Sequence, residues 1–132
     1  MSGGGYIVAY SNGLYGRAAT KLLELGGIQA TAALGGAVVQ LADSTGRLFT
    51  LYERVAPGTD WDLFNEPLTA AHGVHLPDPT RMVVCPFDCR WPDLLTQVAA
   101  LIARTTEDPV WVIDGDGIVW DAEAVDPMRL RL

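Results

Sequence analysis

This sequence is poor in the residue types on which many catalytic and nucleic-acid sites depend. It contains two cysteines, two histidines and three serines, and its nine basic residues face sixteen acidic ones. Phosphate binding needs clustered lysine and arginine, so a net charge of −7 argues against a nucleic-acid partner. The same acidity argues against an anionic membrane surface. No serine lies in a Gly-x-Ser-x-Gly motif, so nucleophilic catalysis has no local support.

Long apolar runs are also missing. No stretch approaches the ~20 residues that span a bilayer. Residues 1–5 have neither the basic region nor the apolar region of a signal peptide, so we expect a cytoplasmic protein. Cys85 and Cys89 are separated by only three residues, and a disulfide between them would close a very small loop. We therefore expect free thiols.

The composition is that of a folded domain. Hydrophobic residues make up 49% of the 132 residues and charged residues 19%. This length is typical of a single domain with its own core. We therefore predict one domain over residues 1–132.

Hydrophobic periodicity predicts a strand, a helix and further strands in residues 1–56. Apolar residues recur at helical spacing from Leu14 to Leu25, and Gly26-Gly27 is expected to end that helix. Residues 28–34 are a weaker strand candidate. The strands predicted around the helix are 6–10, 37–42 and 47–55, the last two joined by a turn at Asp43–Gly46.

A similar order is predicted for residues 81–132. Pro92 suits the first position of a helix whose apolar stripe runs to Ile102. A hairpin is expected around Asp114–Gly117, and a loop at Gly115-Asp116 would place Trp111 opposite Trp120. The predicted strands are 81–85, 110–113, 118–120 and a final strand at 128–132.

These elements predict an α+β fold with a mostly antiparallel sheet and two main helices. The expected organisation is two βαββ(β) halves, residues 1–56 and 81–132, joined by an acidic, proline-containing connection at 57–80. This order resembles the paired βαβββ architecture of the glyoxalase and bleomycin-resistance family. The resemblance implies a small-molecule-binding or metal-dependent enzyme as an alternative function. Metal-binding members of that family place His and Glu on strands, whereas both histidines of this chain lie in the connection.

One group of residues has spacing that zinc sites permit. All histidines and cysteines of the chain fall within eighteen positions, as His72, His75, Cys85 and Cys89. Zinc prefers four nitrogen or sulfur ligands, and ligand pairs a few residues apart are common in structural sites. A zinc-stapled structural domain is therefore a further alternative. The competing interpretation is that the histidines are polar loop residues and the cysteines belong to the core.

Two other segments contain partial motifs. Val112–Gly117 is similar to the haloacid-dehalogenase phosphatase signature, an apolar strand followed by Asp-x-Asp-Gly. In that family the motif opens a large α/β domain, whereas only fifteen residues follow Gly117 here, so we interpret the segment as a hairpin. Ser11–Gly16 joins a strand to the N-terminus of a helix, where anions can bind. Arg17 would be the cation expected to contact such an anion. The segment lacks the phosphate-binding spacing, and we interpret it as a capped helix start.

The uneven charge favours a protein partner. Residues 57–126 carry thirteen acidic residues against three arginines. We therefore predict a non-enzymatic, acidic protein-binding domain of the inhibitor or toxin-immunity type, whose partner has a basic surface. The residues predicted to contact the partner are Asp60, Trp61, Asp62, Phe64 and Glu66, because aromatic residues rimmed by charge are typical of interfaces. A homodimer through an open sheet edge at the final strand is a further expectation.

Overall fold

The computed structural model describes residues 4–31, 33, 35–53 and 68–132. Within these ranges the chain forms one sheet of eight strands and two helices. The strands are β1 Gly4–Ala9, β2 Ile28–Thr31, β3 Ala37–Ala42, β4 Leu48–Tyr52, β5 Thr69–Ala70, β6 Val83–Cys89, β7 Val110–Ile113 and β8 Ile118–Asp121. The helices are α1 Leu14–Glu24 and α2 Pro92–Ala103. Neither helix has the length and apolar character needed to cross a membrane.

The sheet is mixed but mostly antiparallel. Its strand order is β2-β3-β4-β6-β1-β7-β8-β5, and only the short β5–β8 pair is parallel among the described strands. Both helices pack on the same face of the sheet, and α1 also contacts α2. The predicted α+β class with two helices is confirmed.

The two predicted halves interleave within this sheet. The chain order is β1-α1-β2-β3-β4 in the first half and β6-α2-β7-β8 in the second, as expected from the sequence. In space, however, β6 lies between β4 and β1 and is antiparallel to both. Strand β1 in turn pairs with β7 of the second half. The halves therefore share one sheet, and neither forms a sheet of its own.

The helix-covered face holds the main core. In α1, the buried residues Leu14, Ala18 and Leu22 recur at helical spacing and point toward the strands. Across the adjacent strands β4 and β6, the rings of Phe49 and Phe87 stack with centroids 5.7 Å apart. Both rings are almost fully buried, so this pair fills the centre of the layer between sheet and helices.

Glycine ends α1 where the sequence predicts. The Gly27 N–H donates to the Leu22 carbonyl and the Gly26 N–H to the Leu23 carbonyl, the pattern of a Schellman motif. Gly26 has a φ of 98°, which a residue with a side chain rarely adopts. A Cβ on Gly27 would lie 2.7 Å from the Leu22 oxygen and 2.9 Å from the Gln40 oxygen. The two glycines thus allow the chain to turn directly into β2.

A single arginine ties the β3–β4 hairpin to the start of α2. The Arg47 guanidinium donates through Nε to Asp43 and through Nη1 and Nη2 to both carboxylate oxygens of Asp93. It also lies 5.4 Å from the ring centroid of Trp91, the residue before α2. Asp93 occupies the first turn of the helix, where its negative charge interacts favourably with the helix dipole.

The opposite face of the sheet carries a second, smaller core. Four buried residues from β1, β7 and β8 form it: Val8, Trp111, Ile113 and Val119. Leu68 and Val74, from the connection between the halves, pack against this cluster. The indole Nε1 of Trp111 donates to the His75 carbonyl at 3.0 Å. The described part of the connection is therefore attached to the helix-free face.

Two predictions from the sequence are wrong: the register of the β7–β8 hairpin and the final strand. Trp111 pairs with Asp121, and Trp120 pairs with Val112, so the two indoles lie on opposite faces of the sheet. The loop has three residues, 115–117, rather than two. The Gly117 N–H donates to the Asp114 carbonyl, and Gly117 itself has a φ of 77°. The extra residue shifts the register by one position, which moves a side chain to the other face.

The last residues do not form the predicted strand. Arg131 donates its N–H to the Asp114 carboxylate, and its carbonyl accepts from the Gly115 N–H at 2.6 Å. Leu130 is buried in the main core. The tail therefore covers the β7–β8 turn. The alternation of leucine and arginine arises because Leu130 is buried between the exposed Arg129 and Arg131. The outermost described strands of the sheet are β2 and β5.

Candidate functional site

The residues predicted to contact a partner cannot be placed. Asp60, Trp61, Asp62, Phe64 and Glu66 all lie in 54–67, outside the described residues. Their role stays a prediction from the sequence.

The predicted zinc ligands are not brought together. Cys85 and Cys89 lie on the same face of β6 and are buried in the main core, whereas His72 and His75 are exposed in the connection. The described residues include all four, and they contain no group of three or more His, Cys, Asp or Glu side chains that could hold a metal ion. The histidines lie on the chain that covers the helix-free face, while the cysteines face the helices. The sheet therefore separates the two ligand pairs.

Burial disfavours the thiolate form of both cysteines. Burial, together with the charge of Glu53, raises the pKa of Cys85 to about 12. Burial also raises the pKa of Cys89. A metal ligand or nucleophile has to be a thiolate, so these environments disfavour both roles. Cys85 and Cys89 are free and pack as small apolar residues.

The Asp-x-Asp-Gly segment is a structural turn. Asp114 is 3% exposed. Its Oδ1 accepts hydrogen bonds from the N–H groups of Asp116 and Ile118, and its Oδ2 accepts from Trp120 Nε1 and the Arg131 N–H. The carboxylate is fully engaged in joining the hairpin to the tail. The hairpin interpretation is confirmed over the resemblance to a phosphatase motif.

The β3–β4 hairpin repeats this turn, a match between the halves that sequence analysis missed. Asp43 Oδ1 accepts from the N–H groups of Thr45 and Arg47, and Gly46 has a φ of 85°. Hydrogen bonds from Thr45 and Arg47 hold the pKa of Asp43 far below its usual range. The shared signal is Asp-x-x-Gly at 43–46 and 114–117. In both hairpins it specifies a three-residue loop with glycine in the left-handed region.

A groove of about 600 Å³ lies beside the first of these turns. It is open to solvent and runs between the start of β4 and the end of β6. Leu48 and Trp91 are 48% and 40% exposed, and they supply its apolar surface. The residues that line it are Thr45, Gly46, Arg47, Leu48, Thr50, Asp88, Cys89, Arg90 and Trp91.

Polar side chains extend the groove across the helix-free face. Gln40 Nε2 donates to Thr50 Oγ1 at 3.1 Å, and the Tyr52 hydroxyl donates to Asp88 Oδ2 at 2.7 Å. Thr50 and Asp88 are direct partners across β4 and β6, so the two hydrogen bonds are neighbours. The hydrogen bond to Asp88, with partial burial and the aspartate charge, raises the pKa of Tyr52 to about 12.

Tyr52→Phe is expected to lower the free energy of unfolding by about 1 kcal/mol at neutral pH, because it removes a hydrogen bond to a carboxylate. The folded pKa of Tyr52 lies above its ordinary value of 10.0. The stabilisation is therefore complete below pH 10 and is lost as the pH rises toward 12. Urea unfolding of the wild type and Tyr52→Phe from pH 10 to pH 12 should show that the difference between their free energies of unfolding becomes smaller as the pH rises. A Tyr52 phenol that ionises near pH 10 in an absorbance titration contradicts this assignment.

Helix α1 begins at Leu14, where the sequence predicts, but the expected side-chain cap is not formed. The Ser11 hydroxyl accepts hydrogen bonds from the Gly13 N–H and from Arg17 Nη1. Gly13 occupies the N-cap position. Arg17 Nε and Nη2 and the Tyr15 hydroxyl are buried, and they have no hydrogen-bond partner among the described residues. Arg17 is thus folded back over the helix end, held by Ser11.

Four exposed carboxylates gather at the end of the sheet where α2 leads into β7 and where β8 ends. They are Glu107, Asp108, Asp121 and Glu123, and we call this group the acidic end. The Ala122 N–H donates to the Val110 carbonyl at 3.0 Å, which brings the two chain segments side by side. Within the described ranges, none of the four carboxylates forms an ion pair with a cation. The acidic end therefore presents four carboxylates to solvent without an ion pair to any described cation.

Comparison of the chain with protein-family models, with curated proteins and with solved structures found no match in any of the three.

Proposed function

We propose that this protein is a non-enzymatic domain that binds a partner protein through a basic surface of that partner, as an inhibitor or a toxin-immunity protein does. The observation that carries the proposal is the acidic end. Its four carboxylates come from the two segments that flank the β7–β8 hairpin, which lie side by side in the fold. Charge of one sign on one surface accelerates association with a surface of opposite charge and disfavours other partners.

The predicted contact residues in 54–67 belong to the same proposal. They add three carboxylates and two aromatic side chains to the acidic part of the chain. Aromatic residues supply much of the binding energy in protein interfaces, while charges at the rim mainly set the association rate. In this arrangement the acidic end steers the partner, and Trp61 and Phe64 anchor it.

The test uses two variants with equal charge and different charge positions. Asp121→Lys/Glu123→Lys reverses two charges of the acidic end. Glu24→Lys/Asp116→Lys makes the same change at exposed positions on α1 and at the turn of the β7–β8 hairpin, away from the acidic end. Both proteins carry the same net charge, so a difference between them reports on position rather than on total charge.

The three proteins are used as baits, in parallel, on extracts of cells that naturally contain this chain. We expect a protein that the wild type and the Glu24/Asp116 variant retain and the Asp121/Glu123 variant loses. With that protein purified, the association rate should fall at least tenfold for the acidic-end variant at low salt, and the difference should narrow as salt is added. Equal binding by the two variants contradicts the acidic end as the interface.

A small-molecule-binding function is the second candidate, and the groove beside Trp91 is the observation that favours it. Its volume of about 600 Å³ falls within the range of ligand pockets, and it combines apolar surface with polar side chains. An enzyme of the paired βαβββ kind would need a cavity between the two halves. The strands of the two halves alternate in one sheet, so the groove is the better location for a ligand.

A further inference from the structure

Among the described residues, strand β2 is an open edge of the sheet. It pairs with β3 on one side only and is the outermost strand on that side of the described sheet. All four of its residues are exposed. Edge strands in monomeric proteins usually carry lysine, proline or a bulge that prevents pairing with another chain. The sequence of β2, Ile28-Gln29-Ala30-Thr31, has no charged residue and no proline, and it pairs with β3 in an unbroken register.

Apolar side chains surround this edge. Leu23, Leu25 and Ile28 are 39%, 47% and 72% exposed. They come from the end of α1 and the start of β2, and the Gly26-Gly27 turn holds these elements together. Three large exposed apolar residues within six positions form a patch next to the free backbone groups of the strand. Such a patch favours contact with another chain.

The charge distribution identifies which chain fits there. The protein carries a net charge of −7, so most of its surface repels a second copy. The β2 edge differs, because the strand itself carries no charge and Lys21 and Glu24 beside it pair with one another at 3.9 Å. Glu53 lies one strand further in, where its carboxylate accepts from the N–H of Ala37, the β3 partner of Thr31. Pairing through β2 therefore places no charged residue of the strand against the other copy.

The strand is also compatible with two-fold symmetry. When two β2 strands pair antiparallel about a two-fold axis at Ala30, Ala30 faces Ala30 of the other copy and Gln29 faces Thr31 of the other copy, so that paired side chains lie on the same face of the joined sheet. Each of these pairs is uncharged, and β-branched residues favour strand pairing.

We propose that the protein forms a homodimer by antiparallel pairing of two β2 strands, which joins the two sheets into one. The contact involves a four-residue strand and a few apolar side chains, so it belongs with small, reversible interfaces. This interface differs from the final-strand edge expected from the sequence. It leaves the acidic ends of both copies free.

Charge placed at the centre of the strand provides the test. Ala30→Lys and Ala30→Glu each put like charges near the symmetry axis, and β2 is exposed, so both variants should fold normally. Ala124→Lys, at an exposed position after β8, is the matched control. Sedimentation velocity over a wide concentration range should show a concentration-dependent dimer for the wild type and for the control. Each Ala30 variant alone should be a monomer, and the dissociation constant should rise at least tenfold.

Mixing the two Ala30 variants should restore the dimer, because lysine then faces glutamate across the axis. Circular dichroism melting curves that match the wild type show that loss of the dimer is not loss of the fold. A wild type that stays monomeric at all concentrations overturns the proposal. So does a dimer that the Ala30 variants do not weaken, one that the control weakens equally, or a mixture that fails to pair.

Discussion

Replacing Asp114 by alanine should lower the free energy of unfolding by about 3 to 5 kcal/mol, one of the two largest losses we expect from single substitutions outside the main core. The carboxylate accepts four hydrogen bonds and is 3% exposed. Alanine leaves the Trp120 indole N–H and backbone N–H groups without acceptors in a buried place. The tail at Arg131 loses its attachment to the hairpin as well.

Asp114→Asn separates hydrogen bonding from size. An amide has one accepting oxygen, so its NH₂ group must face two of the four donors in either orientation. We expect Asn to be nearly as destabilising as Ala. Asp43→Asn is the control, because Asp43 makes the same two backbone contacts in its turn but is reached by solvent. Urea unfolding of the three variants measures the losses. A loss for Asp114→Asn no larger than that for Asp43→Asn contradicts the burial argument.

Trp111→Ala is expected to cost about 3 to 5 kcal/mol, the usual range for removing a large buried aromatic side chain. Trp111 is 8% exposed, contacts the Tyr10 ring edge-on at a centroid distance of 5.1 Å, and donates to the His75 carbonyl. The Tyr10 hydroxyl accepts from the Asp78 N–H at 2.7 Å. Loss of the indole should therefore also release the connection at 71–81 from the sheet.

Two measurements separate these effects. Urea unfolding gives the stability of Trp111→Ala, and limited proteolysis under native conditions reports opening of the connection. Trp111→Phe keeps an aromatic ring but loses the indole N–H, so it should lose less stability and still speed cleavage of the connection. Trp91→Ala is the control, because Trp91 is 40% exposed and contacts the opposite end of the sheet. Cleavage of Trp111→Ala at the wild-type rate contradicts an anchoring role.

Local patterns in the sequence predict much of this fold. The helical stripe and the glycine pair predict α1, Pro92 predicts the start of α2, and short apolar runs predict β3 and β7 at their observed bounds. These features depend on residues close together in the chain. The acidic end could also be predicted, because the hairpin expected from the sequence brings residues 107–110 next to residues 121–123; we considered the charge and the hairpin separately.

The main errors arise from contacts between distant segments. Pro86 predicts the end of a strand because it lacks an N–H donor. Strand β6 nevertheless continues to Cys89, and its pairing with β4 begins one residue after the proline, at Phe87. Nothing local indicates that β6 inserts between β4 and β1. Likewise, alternation places Thr50 and Tyr52 on one face of β4, but only the fold places Asp88 beside them.

The central position of β6 has a consequence for synthesis of the chain. Strands β1 and β4 are both made before β6, and each has an unpaired edge until β6 arrives between them. A ribosome adds roughly 5–20 residues per second, so the ~40 residues from β4 to the end of β6 take about 2 to 8 s. During this interval the nascent first half exposes the apolar strands that later form the centre of the sheet. We therefore expect new chains to depend on chaperones more than completed ones do.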